Sequence, residues 1–516
     1  VEDKPVLVTG STGYVGGRLV PLLLARGHRV RALGRSRAKL AARPWAGHPD
    51  LELAQGDVLD AGSLAAACRG SRAAFYLVHS MNPSTEDFAA ADRRAARHMA
   101  AAAGLAGMEQ IIYLGGIVPS GQRPSHHLAS RAQVAAVLAA GETPLTWLRA
   151  AMILGAGSAS FELMRYLVER LPVMVTPRWV RSRVQPIYIA DVLDYLAGCL
   201  ETPATRGRAY DIGGPDVLSY QELFQIYARE AGLRRRLIIP VPVLTPRLSS
   251  LWIHLVTPVH ASLARPLAEG LANTVVCGET RIRELVPARL VGCRQAIRES
   301  LAGREAEAAD TCWHDAGPVR PPQWTQAGDA PFAGGDLKEC AWRAVVSASP
   351  ERLWPVVAGL GGRAGWLHGR SLWWLRAAAD KLAGGPGGRP RRHPRELRPG
   401  DAVGLWRVLE ARPPQRLTLL AEMRAPGEAV MFWRLEAHPR GAEVKLIGRF
   451  LPRGLAGLAY WHGLAPFHAW LYRGTLRRLA QRAGAELAQG PEPFAAGPED
   501  ACLWAQAGPG EPPPMG

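Results

Sequence analysis

Cysteine, lysine and long apolar runs are all scarce in this chain, and each shortage narrows the choices. The seven cysteines, an odd number across 516 residues, stand far apart with no C-x-x-C pair. That excludes a disulfide framework and a cysteine zinc site. No H-E-x-x-H supplies a histidine site either, so no metal is expected and a reducing, cytoplasmic setting is the natural one. The most apolar stretch, Leu237 to Leu267, is broken by prolines and by Arg247. It falls short of the roughly 20 unbroken residues a spanning helix needs, and suits at most a peripheral membrane contact. An apolar strand starts close to Lys4, so no signal peptide is expected. Acid is short too: 45 Asp and Glu against 62 Lys and Arg give a formal charge of +17. The cations are nearly all arginine and are scattered, with no recognition module beside them, so nucleic-acid binding is not expected. An anionic cofactor or a membrane surface would use the same charge.

What the chain does have is organised around its start, KPVLVTGSTGYVGGRLVPLLL, from Lys4 to Leu24. A short apolar run, Val6-Leu7-Val8, leads into Gly10, Gly13 and Gly16 and then into a helical pattern. Strand, glycine turn, helix is the order a dinucleotide site needs. The first glycine permits the tight turn, and the second lets backbone approach a pyrophosphate. The third lets helix and strand pack closely, with free N–H groups aimed at the phosphates. Pro21 falls inside that helix, where it removes a hydrogen bond and predicts a local kink. A second strand, His28 to Leu33, runs into GRSRAKL. Sites that prefer NAD place an acid about 20 residues beyond the glycines, on the ribose hydroxyls. Here that place holds Gly34 and Arg35, and arginine offers a planar fork of donors to a 2′-phosphate. NADP is favoured over NAD.

TGSTGYVG, with its Gly-x-x-Gly-x-x-Gly spacing, resembles the short-chain dehydrogenase/reductase superfamily, above all its extended, epimerase-like and atypical, NmrA-like branches. The resemblance implies that Gly10, Thr12, Gly13, Tyr14, Val15 and Gly16 bind the cofactor, with Asp57 and Val58 of GDVLD along the adenine. The fourth strand, AAFYLV, ends at Val78 and His79, and strand ends on that edge face the ligand crevice. Typical members carry a Ser or Thr after the fifth strand and a Tyr-x-x-x-Lys pair on the next helix. This chain departs from that pattern. No lysine occurs between Lys39 and Lys338, Gly115 or Gly116 holds the serine place, and the spacing falls on His127-x-x-x-Arg131. In those places Arg131 would clamp ribose hydroxyls and His127 would act as a general acid near neutral pH. An ordinary exposed histidine beside His126 fits the same pattern, and Tyr113 reads as core.

Further along, strands at Leu51–Leu53, Gln110–Leu114 and Thr146–Leu148 alternate with helices at Phe88–Ala103 and over SHHLASRAQVAAVLAA. That alternation predicts an α/β doubly wound parallel sheet. From Gly157 the pattern resembles the substrate-side half of extended family members, with Asp191 expected as a helix cap. Leu237 to Ala272 reads as irregular helices that line an apolar pocket. The expected division is a Rossmann domain with substrate lobe over 1–304, a linker over 305–336, a second domain over 337–486 and a disordered tail over 487–516. Twelve of the sixteen tryptophans lie beyond residue 312, which marks the second domain as separate. Its order is a strand, a helix opened by Ser349 and Pro350, several strands, and a closing helix over Pro466–Arg482. This resembles the START/polyketide-cyclase helix-grip fold. Motifs such as GWLHGRSLWWLRAAADKLAGG, AEMRAPGEA and YWHGLAPFH resemble an uncharacterised family often fused to such reductases. Trp366, Trp373, Trp406 and Trp433 either fill its core or line a ligand cavity.

The expected function is an NAD(P)H-dependent oxidoreductase acting on a hydrophobic small molecule, with NADP as cofactor and a C-terminal domain that holds an apolar ligand. Two other readings fit the same residues. One is a redox sensor of the NmrA type that binds NADP without turnover; the other is a lipid carrier with a structural nucleotide site.

Overall fold

The computed structural model describes residues 4–78, 88–119, 125–241, 273–305, 337–361 and 365–497, with single positions 253, 257, 269, 311, 322 and 500. Two compact units divide the chain, Val1–Gly317 and Pro318–Gly516.

The first unit is built on a seven-stranded sheet. Its strands are β1 (Val6–Val8), β2 (Val30–Gly34), β3 (Leu51–Gln55), β4 (Ala73–Tyr76), β5 (Gln110–Gly116), β6 (Leu145–Ala150) and β7 (Ala209–Ile212). The order is β7-β6-β5-β4-β1-β2-β3, and every pairing is parallel. Parallel strands are covered on both faces, which is why β1 is apolar at each position. Val6 and Val8 point to one face, where they pack with Leu19 and Leu23 of α1 (Gly16–Ala25). Leu7 points to the other, with Leu64 of α3 (Ala61–Cys68), Met99 of α4 (Phe88–Leu105) and Leu138 of α5 (His126–Ala139). A short α2 (Arg37–Ala41) lies between β2 and β3. This is a doubly wound, Rossmann-like sheet. Beyond it, α6 (Ala159–Arg170), α8 (Tyr220–Glu230) and the helix Cys293–Glu305 share a separate cluster around Phe161, Leu223, Tyr227 and Ile297. Leu237–Val241, expected as helix, is instead a strand paired with Val173–Pro177; β-branched residues in both segments favour the extended form. Most of the rest of that stretch, and most of 305–336, lies outside the described residues.

The second unit is an antiparallel seven-stranded sheet. In spatial order its strands are Ala402–Val403, Trp406–Arg412, Arg416–Ala421, Gly427–His438, Gly441–Pro452, Lys338–Val346 and Leu487–Pro493. A 29-residue helix, Gly454–Arg482, lays Tyr472, Leu476 and Leu479 against Val346, Val444 and Leu446. Two expectations are corrected here. The closing helix begins at Gly454 and runs through Pro466, whose missing N–H is tolerated where the helix is widely solvated. The segment expected as tail contributes Leu487–Pro493 as an edge strand on Lys338–Val346, a place that tolerates its two prolines because one side of an edge needs no donors. Trp433 and Trp406 are core; Trp366 and Trp373 are half-buried and stack at 4.4 Å.

Candidate functional site

At the carboxyl end of β1 the chain makes the turn that the glycines demand. Thr9 ties the sheet edge together: its hydroxyl donates to the Phe75 carbonyl at 3.0 Å and accepts the Leu77 N–H at 3.1 Å. Ser11 Oγ donates to the Leu33 carbonyl at 2.8 Å and so fixes the turn to the end of β2. Gly10 has φ +67°, and a Cβ there would stand 2.9 Å from the Leu77 oxygen. The Gly13 N–H donates to the Gly10 carbonyl at 2.9 Å. At Gly16 a Cβ would drive into that same carbonyl. Helix α1 starts at Gly16 with no side-chain cap and no acid in its first turn. Its N-terminal N–H groups and the positive end of its dipole therefore suit an anion.

Two arginines brace this turn from outside. Arg43, just past α2, is buried and donates to the Thr12 carbonyl at 2.7 Å. Arg18 lies 4.3 Å over the Tyr14 ring and donates to the carbonyls of Tyr14 at 3.2 Å and Ala156 at 2.9 Å. It also bonds the Thr311 hydroxyl. Arg35 is exposed at the end of β2, next to Ser36, whose hydroxyl caps α2 by accepting the Lys39 N–H. No acid stands at this position.

The remaining sequence candidates fall on the same sheet edge with different commitments. Asp57 follows β3 and folds its carboxylate onto the Leu59 N–H at 3.0 Å. Val58 is buried, with its carbonyl 3.1 Å from His98 Nδ1. Val78 is half-buried after β4, while His79 lies outside the described residues. Arg131 sits on α5 and donates to the Leu114 carbonyl, at the end of β5, at 3.2 Å. The Tyr113 hydroxyl donates to the Arg131 carbonyl at 3.3 Å, and burial pushes that phenol upward from its ordinary pKa. His127 is in the first turn of α5, and its side chain lies outside the described residues. Of the glycines at the end of β5, Gly115 is the sterically confined one, since Gly116 faces only the movable end of the Leu128 side chain. A Cβ on Gly115 would enter the Trp147 indole nitrogen, and one on Gly116 would lie 2.7 Å from Leu128 Cδ2. Space for a serine hydroxyl is taken by packing. Sequence reasoning missed Arg43, because nothing local says that the chain after α2 returns to Thr12.

Asp191 is not the cap that was expected. The cap position of α7 (Ile189–Glu201) is Tyr188, and Asp191 lies inside the first turn. Its carboxylate is 3% exposed and accepts the Val291 N–H at 3.0 Å. Burial, aided by Asp194 and Glu299 nearby, pushes its pKa up to about 6, and the Val291 bond only partly opposes this. Between the ordinary carboxylate value and about 6 the folded chain keeps a proton that the unfolded chain has released. Stability therefore falls as pH rises through that window, and the full cost is present above it. Asp191→Asn keeps an acceptor for Val291 and removes the charge. The expected gain is on the order of 2 kcal/mol at neutral pH, with no gain at pH 3. Denaturant unfolding at both pH values measures it, and an equal effect at the two would refute the assignment.

Comparison with known proteins agrees with this geometry. Residues 10–152 match a family described as NAD(P)H-binding, and residues 332–475 match a family described as "Protein of unknown function (DUF2867)". A 71-residue stretch is 48% identical to a 3 beta-hydroxysteroid dehydrogenase/Delta 5-->4-isomerase of Mycobacterium tuberculosis. The same length is 41% identical to a 3-beta-hydroxysteroid dehydrogenase of Mycolicibacterium neoaurum. Each match covers 14% of this chain and 18% of the relative, so the chain spans under a fifth of the length of these curated relatives. Among solved structures, a nucleoside-diphosphate-sugar epimerase from Staphylococcus aureus superposes with a TM-score of 0.47 at 17% identity. That superposition covers 57% of this chain and 99% of the other. Among the described residues no helix is long and apolar enough to cross a membrane. The N-terminal part of the chain is an NAD(P)-binding Rossmann domain, joined to a C-terminal antiparallel-sheet domain that matches a family of unknown function.

Proposed function

We propose that the chain is an NADP-dependent oxidoreductase of the short-chain dehydrogenase/reductase type that acts on a hydrophobic small molecule. The observation that carries the cofactor choice is the end of β2, where Arg35 stands exposed in the place of a ribose-binding acid. The bound cofactor supplies the hydride. The chain's own part is to seat the pyrophosphate on the α1 N-terminus and to hold the turn rigid through Thr9, Ser11 and Arg43. The partial likeness to steroid dehydrogenases supports an apolar substrate. The Trp366–Trp373 stack beside Trp406, in a sheet that grips a long helix, supports a helix-grip domain that takes an apolar ligand.

The test is paired titration of NADPH and NADH, followed by NADPH oxidation across a panel of apolar ketones and steroids. NADPH should bind at least tenfold more tightly. Arg35→Asp should reverse the order by loss of charge-assisted bonds and by repulsion of the 2′-phosphate. Equal midpoints for the two cofactors in the unaltered chain would sink the NADP assignment.

One observation favours a second reading, a redox sensor of the NmrA type. The serine place at the end of β5 holds Gly115, packed against Trp147, and α5 carries no lysine. Tight NADPH binding with no turnover on any member of the panel would select the sensor.

A further inference from the structure

The second unit carries an apolar face that its own core does not use. The helix Arg370–Leu382 turns the half-buried Trp373 and Ala377 and the buried Asp380 inward on one side. On the other it exposes Leu372, Trp374, Leu375 and Leu382, with Trp374 at 73% and Leu382 at 81%. An ordinary surface helix is polar there. The first half of the long helix repeats the pattern. From Gly454 to Tyr472 it has no Asp, Glu, Lys or Arg, and it exposes Leu455, Phe467 and Trp470. The start of the shorter helix meets the longer one: the His368 and Trp470 rings are 4.2 Å apart, and a Cβ on Gly369 would touch Leu471 and Trp470. Contiguous exposed apolar surface rimmed by polar residues marks an interaction site.

The rim fixes the chemistry of the partner. Between Glu443 and Glu486 the sequence has no acidic residue, and between Glu351 and Glu396 it has only Asp380, which is wholly buried. Arg370, Arg473 and Arg477 are exposed on the two helices, while Arg453, just before the longer one, stands 3.9 Å from the exposed Glu428. A second copy docking through this face would set these arginines against their own equivalents. An anionic surface would not. Exposed tryptophan with leucine and phenylalanine, bordered by arginine, is the composition of helices that lie in a lipid headgroup layer. Neither helix is apolar enough over its length to cross a bilayer.

We propose that the second unit docks on anionic lipid bilayers through the adjoining faces of the helices Arg370–Leu382 and Gly454–Arg482. Their tryptophans insert at headgroup depth, and the arginine rim binds lipid phosphates. This places a membrane contact outside the Leu237–Leu267 stretch.

The experiment is flotation of the full chain with vesicles of phosphatidylcholine alone and of phosphatidylcholine mixed equally with phosphatidylglycerol, at low and high salt. Light scattering of the lipid-free protein runs alongside. The chain should float with the mixed vesicles, at least tenfold more than with neutral ones, and salt should weaken this. Trp374→Ser should cut flotation at least tenfold while leaving thermal unfolding unchanged. Arg370→Gln with Arg477→Gln should lower the preference for phosphatidylglycerol. Flotation equal in the tryptophan variant and the parent overturns the proposal, as does no flotation at low salt. A dimer that the tryptophan variant dissolves would also overturn it, by assigning the face to a second copy.

Discussion

Gly16→Ala should abolish measurable cofactor binding, with at least a hundredfold loss in NADPH affinity and a destabilisation of about 3 kcal/mol. The added methyl has nowhere to go, since it would drive into the carbonyl oxygen of Gly10 and lie 2.8 Å from the carbonyl carbon. A flexible side chain could swing away, but this obstacle is backbone. Gly10 itself already sits at φ +67° against Leu77. Relief requires α1 to move off β1, which separates its N-terminal N–H groups from the place the phosphates would take. Titration calorimetry with NADPH and thermal unfolding measure the two effects. A variant that still binds with its parent's affinity would mean that the phosphates are held elsewhere.

The second large effect is expected at Asp380. Its carboxylate is fully buried and accepts the Arg424 N–H at 2.6 Å and the Gly387 N–H at 2.8 Å, with the Arg376 guanidinium 3.7 Å away. One side chain thus fastens the end of its helix to two loops. Asp380→Ala leaves the buried Gly387 N–H and the part-buried Arg424 N–H without an acceptor, and a cation without its counter-charge. The expected cost is about 3–5 kcal/mol, a fall of roughly 10 °C in the unfolding midpoint of a unit this size. Asp380→Asn keeps one acceptor oxygen and should lose less. Calorimetry of the full chain should show the shift in one of two transitions, with NADPH affinity unchanged. A shift in both transitions would show that the units do not unfold independently.

Much of this architecture is legible in the residues, for local reasons. Val6-Leu7-Val8 is too short and too apolar for anything but a strand buried on both faces, and Gly10 has a positive φ that other residues adopt at a cost. Arg35 could be placed because the β2 end is fixed by its distance from the glycines. What stayed hidden depends on contacts between distant segments. Gly115 reads as a lost serine until Trp147, two strand positions into β6, is seen to occupy the space. Asp191 has the spacing of a cap, and only the return of the chain at Val291 turns it inward. A proline such as Pro466 is more at home at the start of a helix than inside one. The apolar residues before it, from Gly454, continue the same helix. Leu487–Pro493 has the composition of a tail, and only the open edge of Lys338–Val346 makes it a strand.

That edge pairing also sets the order in which the second unit can be completed during synthesis. Lys338–Val346 emerges first, yet it lies between Gly441–Pro452 and Leu487–Pro493, two strands made near the end. Until they appear, its hydrogen-bonding groups on both sides have no permanent partner, while the hairpins between Trp406 and Pro452 can already form from near neighbours. Closure then waits on contacts of long sequence separation, which are slow to form. In the interval the nascent chain displays an unpaired apolar strand, the kind of segment that chaperones shield and that seeds aggregation. Chains released before Leu487 would carry that hazard permanently, including any that stop at residue 475, where the match to the unknown-function family ends.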